Sequence, residues 1–305
     1  MIDVDQLNDL YCVEGELGFS EMDGGLVFAN VSNKYGDADI CLYGAQATYF
    51  APHGRYPILW LSPECIYEEG KAIRGGIPIC FPWFGPHPTD STKPQHGFGR
   101  LRYWSVKRSG TTEHGETFLI LQLVDDEQTR ALWDYSFCAE ITFIVGKKLT
   151  VDFKVTNTDT KPFTYSEALH SYFSVSNSAE ISVEGLQGTH YYDGFGDELI
   201  QDNEPVITFD EGELNRRYVA THDACVINDE PLRRHIRVGK SGSSVTVVWN
   251  PSKEICEKAA DFSDDSFEEF VCVEAANSYN HSIELAPGDE HILSTEIGLL
   301  EKIVE

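Results

Sequence analysis

The sequence contains few basic residues for its length. Its 305 residues include 23 Lys and Arg against 50 Asp and Glu, so the formal net charge is −27. A chain this acidic repels polyanions, which argues against nucleic acid and anionic membranes as partners. It also lacks an apolar run of the roughly 18 residues that a membrane span needs, and its first residues, MIDVDQLNDLY, carry acids where a signal peptide is basic. These absences predict a cytoplasmic protein.

Closely spaced cysteines are absent as well. The eight cysteines lie far apart in the chain, with no CxxC pair and no histidine spacing typical of a zinc site. A cytosolic protein keeps such cysteines as free thiols, most of which pack as small core residues. We therefore expect neither a disulfide framework nor a zinc site.

Long helical patterns are rare, and short strand patterns dominate. In residues 149–156, apolar and polar side chains alternate with the period of a half-buried strand. Only residues 4–11, 125–133 and 251–260 favour short helices. Further strands are predicted at residues 25–31, 40–44, 58–61, 118–124, 137–145, 165–176, 181–184, 233–238, 244–249, 270–278 and 291–300. No repeat and no regular alternation of strand and helix is present, so we predict an all-β fold, a large antiparallel β-sandwich forming a single domain over residues 1–305.

Residues 73–104, IRGGIPICFPWFGPHPTDSTKPQHGFGRLRYW, form the most unusual segment. Four prolines fall within eleven residues, which excludes a helix because each proline removes a backbone donor. We expect a shaped loop that presents binding groups from a rigid scaffold. Its aromatic residues Phe81, Trp83 and Phe84 could stack on a sugar ring, although a core position is the commoner one for such residues.

The same region reverses the sign of the charge. Residues 71–108 contain seven basic residues and one acid, which gives 7 − 1 = +6 in a chain of −27. Such a reversal would concentrate an anionic ligand at one place, whereas the alternative is that the cations balance nearby carboxylates on a solvated surface. Arg74 and Arg100, set among glycines and prolines, favour a phosphate or carboxylate site because a guanidinium binds these groups through two parallel hydrogen bonds.

Two residues outside this segment could carry acid–base chemistry. His170 lies within the strand pattern ALHSYFSV and Glu274 within FVCVEAANS, both among apolar neighbours. A carboxylate is unfavourable to bury unless it has a partner or a function. The alternatives are an edge-strand glutamate that faces solvent and a core histidine bonded to a carbonyl. Asp193, in YYDGFG, could equally be a turn residue, and the stretch at 261–269, with five acids and no base, predicts a solvated loop.

Several motifs together resemble one protein family. RGGIPICFPWFG, PQHGFGR, EALHSYF, GLQGTHYYD, and WNP followed by ADFSDD and FVCVEAAN occur in the order found in the hexose-6-phosphate 1-epimerases of the aldose-1-epimerase superfamily. The resemblance extends from about residue 74 to residue 277. It implies a galactose mutarotase-like β-sandwich that interconverts the α and β anomers of an aldohexose 6-phosphate, typically glucose 6-phosphate. It also implies that no metal and no organic cofactor takes part.

The resemblance also implies roles for individual residues. Glu274 matches the catalytic base and His170 the catalytic acid, and His96 falls in a motif that lines the pocket. The matching substrate-binding positions are Arg74, Gln95, Arg100 and Asp193. Two departures concern the pocket rim and leave the preferred sugar open: Gly194 stands where the family often has Lys, and Ser252 where it often has Trp.

Two other functions fit the same sequence. An aldose 1-epimerase acting on free hexoses would not need Arg74 and Arg100 together. A catalytically silent carbohydrate-binding or regulatory protein would not need both His170 and Glu274. The expected partner is a small phosphosugar substrate, and the sequence is compatible with a monomer.

Overall fold

The computed structural model describes residues 3–194 and 196–300 of the chain. Within these ranges the α-helices are α1 Val4–Tyr11, α2 Glu127–Leu132, α3 Lys253–Lys258 and α4 Ser266–Glu269. The first eleven strands are β1 Leu17–Glu21, β2 Val27–Ser32, β3 Gly36–Cys41, β4 Gln46–Pro52, β5 Ile79–Cys80, β6 Ser105–Thr111, β7 Thr117–Val124, β8 Phe137–Val145, β9 Lys148–Asn157, β10 Phe163–Tyr165 and β11 Glu167–Leu169. They continue with β12 Tyr172–Ser174, β13 Ser182–Glu184, β14 His190–Asp193, β15 Leu199–Gln201, β16 Leu214–Val219, β17 Cys225–Asp229, β18 Arg234–Ser241, β19 Val245–Asn250, β20 Phe270–Asn277, β21 Ile283–Leu285 and β22 Glu290–Leu299. Among the described residues, no helix is long and apolar enough to cross a membrane.

Two eight-stranded antiparallel sheets form the body of the protein. The site sheet has the order β15-β14-β16-β19-β20-β11-β5, with β12 also paired to β20. The back sheet has the order β13-β17-β18-β22-β9-β8-β7-β6. A four-stranded sheet, β1 to β4, and the pair β10-β21 complete the architecture. The predicted all-β antiparallel sandwich with a few short helices is thus confirmed.

The bounds predicted for the long strands β8 and β9 of the back sheet agree with the structure. β9 shows the predicted alternation of buried and half-buried side chains, and β8 has the predicted bounds. Between them, the Gly146 amide donates to the Lys148 carbonyl at 2.9 Å and closes the expected hairpin. The strand predicted at residues 58–61 is wrong. Only isolated bridges form there because Pro57 and Pro63 interrupt the pairing at both ends.

Strand β20 is buried on both of its faces. Its inward side chains, Val271, Val273 and Ala275, belong to a hydrophobic cluster that also contains Phe153 and Ile141 of the back sheet. The alternate side chains of β20, including Glu274, therefore face the opposite surface of the site sheet. Every residue of this strand is buried, so the opposite surface must itself be covered.

The proline-rich segment covers part of that surface: its strand β5 pairs with β11, and Phe84 packs against Val247 and Ala276. The segment is also tightly packed against itself. Gly97 adopts φ +75°, and a Cβ atom there would lie 2.0 Å from the carbonyl oxygen of Phe81. Phe81 and Trp83 are buried in the core and are therefore not available to stack on a sugar ring. The segment is therefore a packed part of the scaffold. The backbone at residue 97 approaches the backbone of Phe81 so closely that only glycine fits there.

The acidic stretch at residues 261–269 corrects the expectation of a solvated loop. Asp261 forms an ion pair with Arg74, and both Phe262 and Phe267 are buried against Trp60 and its neighbours. The end of the stretch forms helix α4. The two phenylalanines supply enough apolar surface to anchor the stretch despite its charge.

A buried carboxylate on β11 makes stability depend on pH. Glu167 is fully buried, and its Oε1 lies 3.2 Å from Nε2 of His291. The hydrogen bond to Glu167 raises the pKa of His291. Because the folded pKa exceeds the unfolded value of about 6.5, this contribution to stability is complete below that pH and is lost as the pH rises through the raised pKa.

We expect the free energy of unfolding, measured by urea titration, to fall as the pH rises above about 6.5, and to fall less in His291→Gln. The exposed His222→Gln serves as the matched control. Equal pH slopes in the wild type and His291→Gln would show that the pair does not contribute.

Candidate active site

The cavity on the site sheet is lined by a buried carboxyl group and a buried imidazole. Glu274, in the middle of β20, is 1% exposed, and His170, which follows β11, is 7% exposed. The Nε2 atom of His170 lies 3.5 Å from Oε1 of Glu274. The cavity has a volume of about 260 Å³ and is lined by both residues. The structure therefore brings together two residues that are 104 positions apart in the chain.

Burial sets the protonation of this pair. Desolvation lowers the pKa of His170 to about 3 and raises the pKa of Glu274 well above its usual range. The positive charge of Arg100 lowers the pKa of both groups. A low-dielectric environment disfavours the charged form of each group. The pair thus favours a state in which Glu274 is protonated and His170 is neutral, so that neither side chain is charged.

Three buried polar atoms of the cavity have no hydrogen-bond partner within the described residues. They are Nε of Arg100, Nδ1 of His170 and Oε2 of Glu274. Buried polar groups in proteins are almost always paired. These unpaired atoms make the surroundings of the cavity strongly polar.

The two arginines predicted from the loop differ in their pairing. Arg74 donates from Nε to Asp261 at 2.9 Å and from Nη1 to the hydroxyl of Tyr172 at 3.2 Å. Burial opposes the charge of Arg74, but Tyr172 and Asp261 together raise its pKa. Arg100 donates from Nη2 to the Gln95 carbonyl at 3.0 Å and has no carboxylate partner among the described residues. Arg100 therefore carries the less compensated charge.

The other predicted residues lie at different distances from the centre. Gln95 and His96 both line the cavity. His96 adopts φ +64°, and its Nδ1 accepts from the Gly85 amide at 3.2 Å. Asp193 is exposed at the end of β14 and does not line the cavity, although the next residue, Gly194, does.

Several lining residues were not anticipated from the sequence: the polar Glu213, Asn215, Arg217 and Trp249 and the apolar Val247 and Ile255. Of the three loop aromatics, only Phe84 lines the cavity. Ser252, where the family often has Trp, caps helix α3 by accepting from the Ile255 amide, and Ile255 also lines the cavity. The WNP motif at Trp249 was a usable signal, whereas nothing in the sequence marks Arg217.

Two buried thiols lie near the cavity, Cys272 beside the pair and Cys80 beside His96. The ligand atoms of His170, Cys272 and Glu274 lie within 4.8 Å of one another and could hold a metal ion. The arginines lining the same cavity disfavour a cation there. The Sγ atom of Cys80 lies 3.4 Å from Nδ1 of His96. Burial raises the pKa of both thiols.

The family model described as aldose 1-epimerase matches residues 29–298. The chain is 35% identical over 262 residues to a protein from Cenchrus ciliaris, covering 83% of this chain and 78% of that protein. It is 36% identical over 242 residues to a protein from Escherichia coli K12, covering 78% and 79%. Both are named "Putative glucose-6-phosphate 1-epimerase".

Among solved structures, one described as "a putative mutarotase (YeaD)" from Salmonella typhimurium is similar over 96% of both chains. Its TM-score is 0.88 and its sequence identity 29%. The resemblance inferred from the motifs is therefore confirmed, and the fold, the matched residues and the relatives lead to one conclusion: the chain belongs to the aldose 1-epimerase family.

Proposed function

We propose that this protein interconverts the α and β anomers of an aldohexose 6-phosphate, most simply D-glucose 6-phosphate. Family membership gives the class of enzyme, an epimerase and hence an isomerase. The names of the Cenchrus ciliaris and Escherichia coli relatives support the phosphorylated substrate. The observation that carries the proposal is the buried pair of His170 and Glu274 in one cavity with Arg100, whose charge has no carboxylate partner within the described chain.

The pair supplies both proton transfers that anomerisation requires. The free pair holds its one proton on Glu274, and this proton passes to His170 before ring opening. Glu274 then takes the proton from the C1 hydroxyl while His170 protonates the ring oxygen, so that the ring opens to the aldehyde. Rotation about the bond between C1 and C2 presents the other face of the carbonyl, and the two groups exchange roles as the ring closes. The pair holds a single proton before and after opening, so no net proton is gained. Each positioned group typically contributes about 10² to 10⁴ in rate.

The remaining polar residues are proposed to bind the substrate. Arg100 binds the anionic group, since its charge is not balanced by an acid. Arg74, already paired with Asp261, is better suited to sugar hydroxyls. Gln95 contacts the substrate from the exposed rim. Asp193, beside the lining residue Gly194, contacts a substrate hydroxyl at the mouth of the cavity.

Three wider properties are part of the same proposal. A single domain over residues 1–305 is supported by one hydrophobic cluster that contains residues from Leu17 to Ile297. A cytoplasmic location is supported by the eight free cysteines. A monomeric state is proposed as the simplest one.

Loss of either member of the pair should abolish most of the turnover. We expect His170→Ala and Glu274→Gln each to lower kcat at least about a hundredfold while the substrate still binds, because proton transfer is lost and the anion contact remains. A coupled assay that consumes one anomer of glucose 6-phosphate measures this. Exposed His222→Ala and Glu268→Gln are the matched controls. Turnover near the wild-type rate in either site variant would exclude that residue as the acid or base.

Loss of Arg100 should discriminate between sugars. We expect Arg100→Ala to cost about 2 to 3 kcal/mol in kcat/KM for glucose 6-phosphate and much less for free glucose, because a charged hydrogen-bond partner of the phosphate is removed. Arg74→Ala should reduce both activities by similar factors. If Arg100→Ala reduces both sugars equally, the residue has a structural role and a free-aldose epimerase becomes the better assignment.

The pH profile of kcat on free glucose should also respond to Arg100. Its positive charge lowers the pKa of His170 and of Glu274. Removing that charge in Arg100→Gln raises both pKa values, so both limbs of the profile should move to higher pH. Free glucose is used because it has no phosphate that titrates. If the acidic and basic limbs of the kcat profile lie at the same pH in Arg100→Gln as in the wild type, the ionisation of this pair does not govern the rate.

A further inference from the structure

A buried thiol beside the acid–base pair has no part in the proposed reaction. Cys272 and Glu274 lie two positions apart in β20, so their side chains are on the same face of the site sheet. The thiol sulfur, a carboxylate oxygen of Glu274 and a ring nitrogen of His170 all lie within 4.8 Å of one another. In the described part of the chain, this is the one group of three His, Cys, Asp or Glu side chains placed closely enough to share an ion.

The pairing of β20 fixes this arrangement. β11 pairs with the C-terminal part of β20, and β12 pairs with its N-terminal part, where Tyr172 lies opposite Cys272. His170 lies in the break between β11 and β12, and its ring stacks on Tyr172 with centroids 4.9 Å apart. The strands therefore bring the imidazole to the thiol and the carboxyl group. Residue spacing in the sequence does not indicate this, because His170 and Cys272 are 102 positions apart.

The three donor atoms suit a zinc-like ion. Zinc in proteins is bound by imidazole nitrogen, thiolate sulfur and carboxylate oxygen, and in a tetrahedral site such atoms lie about 3.3 to 3.6 Å apart. Nε2 of His170 lies 3.5 Å from Oε1 of Glu274, which is within this range. The sulfur of Cys272 lies no more than 4.8 Å from the donor atoms of the other two. A side-chain shift of about 1 Å therefore completes three of the four positions.

The catalytic cavity gives access to the fourth position. His170 and Glu274 line this cavity, and the exposed residues Gln95 and Glu213 line it as well, so the cavity reaches the solvent. An ion can enter by this route. Three protein ligands and one position left for water are typical of zinc sites that a small molecule can approach.

The positive charge of Arg100 does not exclude such an ion. Burial raises the pKa of Cys272 and of Glu274, so both are protonated before an ion binds. On binding, the thiol and the carboxyl group each release one proton to the solvent, and His170 binds through a nitrogen lone pair. Two positive charges enter and two leave. The net charge beside Arg100 is therefore unchanged, whereas an ion without these ligands would be repelled.

We propose that His170, Cys272 and Glu274 form an inhibitory site for a thiophilic divalent ion such as zinc. This inference rests on the proposed function, because it is the acid and the base of that reaction that the ion occupies. The bound ion holds the nitrogen and the oxygen that would give a proton to the ring oxygen and take one from the C1 hydroxyl. Cys272 supplies the soft ligand that makes the pair sensitive to such an ion.

The first test is zinc inhibition of anomer exchange in glucose 6-phosphate. NMR follows the exchange without coupling enzymes, and a metal buffer sets the free zinc concentration. We expect Cys272→Ser to raise the zinc concentration for half-inhibition at least roughly tenfold, because a first ligand should matter no less than an outer-shell partner. Each variant is compared with its own metal-free rate. Cys41→Ser, at a buried thiol in β3, is the matched control and should keep the sensitivity of the wild type.

Cadmium provides a measurement that does not depend on turnover. A cadmium–thiolate bond has a charge-transfer absorption in the ultraviolet, so one equivalent of Cd²⁺ should produce this band in the wild type. The band should be lost in Cys272→Ala. It should persist in Cys41→Ser and in Cys12→Ser, which removes the exposed thiol.

The outcomes separate this proposal from the proposed function. If the wild type does not accelerate anomer exchange, the proposed function is overturned, while the cadmium band still tests the metal site. If the wild type is active but zinc inhibits it and Cys272→Ser equally, or not at all, the metal site alone is overturned. Should the Cys272 variants fail to fold, Cys12→Ser decides: saturating glucose 6-phosphate should abolish its cadmium band, and a band unchanged by substrate would overturn the site.

Discussion

The burial of Glu274 in a strand covered on both faces is the constraint on which the site depends. A carboxylate with 1% exposure has lost nearly all of its water, so its charged form needs nearby positive charge or a shared proton. His170 at 3.5 Å supplies the second proton-binding group, and Arg100 lowers the pKa of the carboxyl group. At an effective dielectric constant of 20, two unit charges 4 Å apart interact by about 4 kcal/mol, enough to decide which group holds the proton. The acid–base function proposed for the pair thus depends on where the strand lies.

The proline-rich segment provides the cover that makes this burial possible. Its glycines approach neighbouring backbone so closely that a side chain would clash, as at Gly97 and also at Gly76, where a Cβ atom would lie 2.1 Å from the Ala47 carbonyl. A segment packed in this way keeps Arg100 and Gln95 at fixed positions over the sheet. Rigid placement matters because the arginines must attract an anion into a protein whose net charge is −27.

Much of the fold could be predicted from the sequence, because period-2 alternation is a local property of strands such as β9. The site could be predicted only in part. Glu274 and His170 were identifiable as residue types in unfavourable surroundings and by family resemblance, but no local pattern shows that they meet. The ion pair of Arg74 with Asp261 was missed because charge counting treats an acidic stretch as solvated. Arg217 was missed because adjacent arginines in a strand point to opposite faces, and sequence alone does not tell which face has a cavity.

The buried thiols have a consequence for how the protein withstands oxidation. The thiolate is the form that reacts with peroxides and alkylating agents, and burial raises the pKa of Cys80 and Cys272 so that both stay protonated. Cys12, just after helix α1, is the exposed cysteine among the eight. Oxidants and thiol labels should therefore modify the surface at Cys12 first and spare the two sulfur atoms beside His96, His170 and Glu274. Because of their burial, the two cysteines near the proposed catalytic pair should react more slowly with oxidants than Cys12 does.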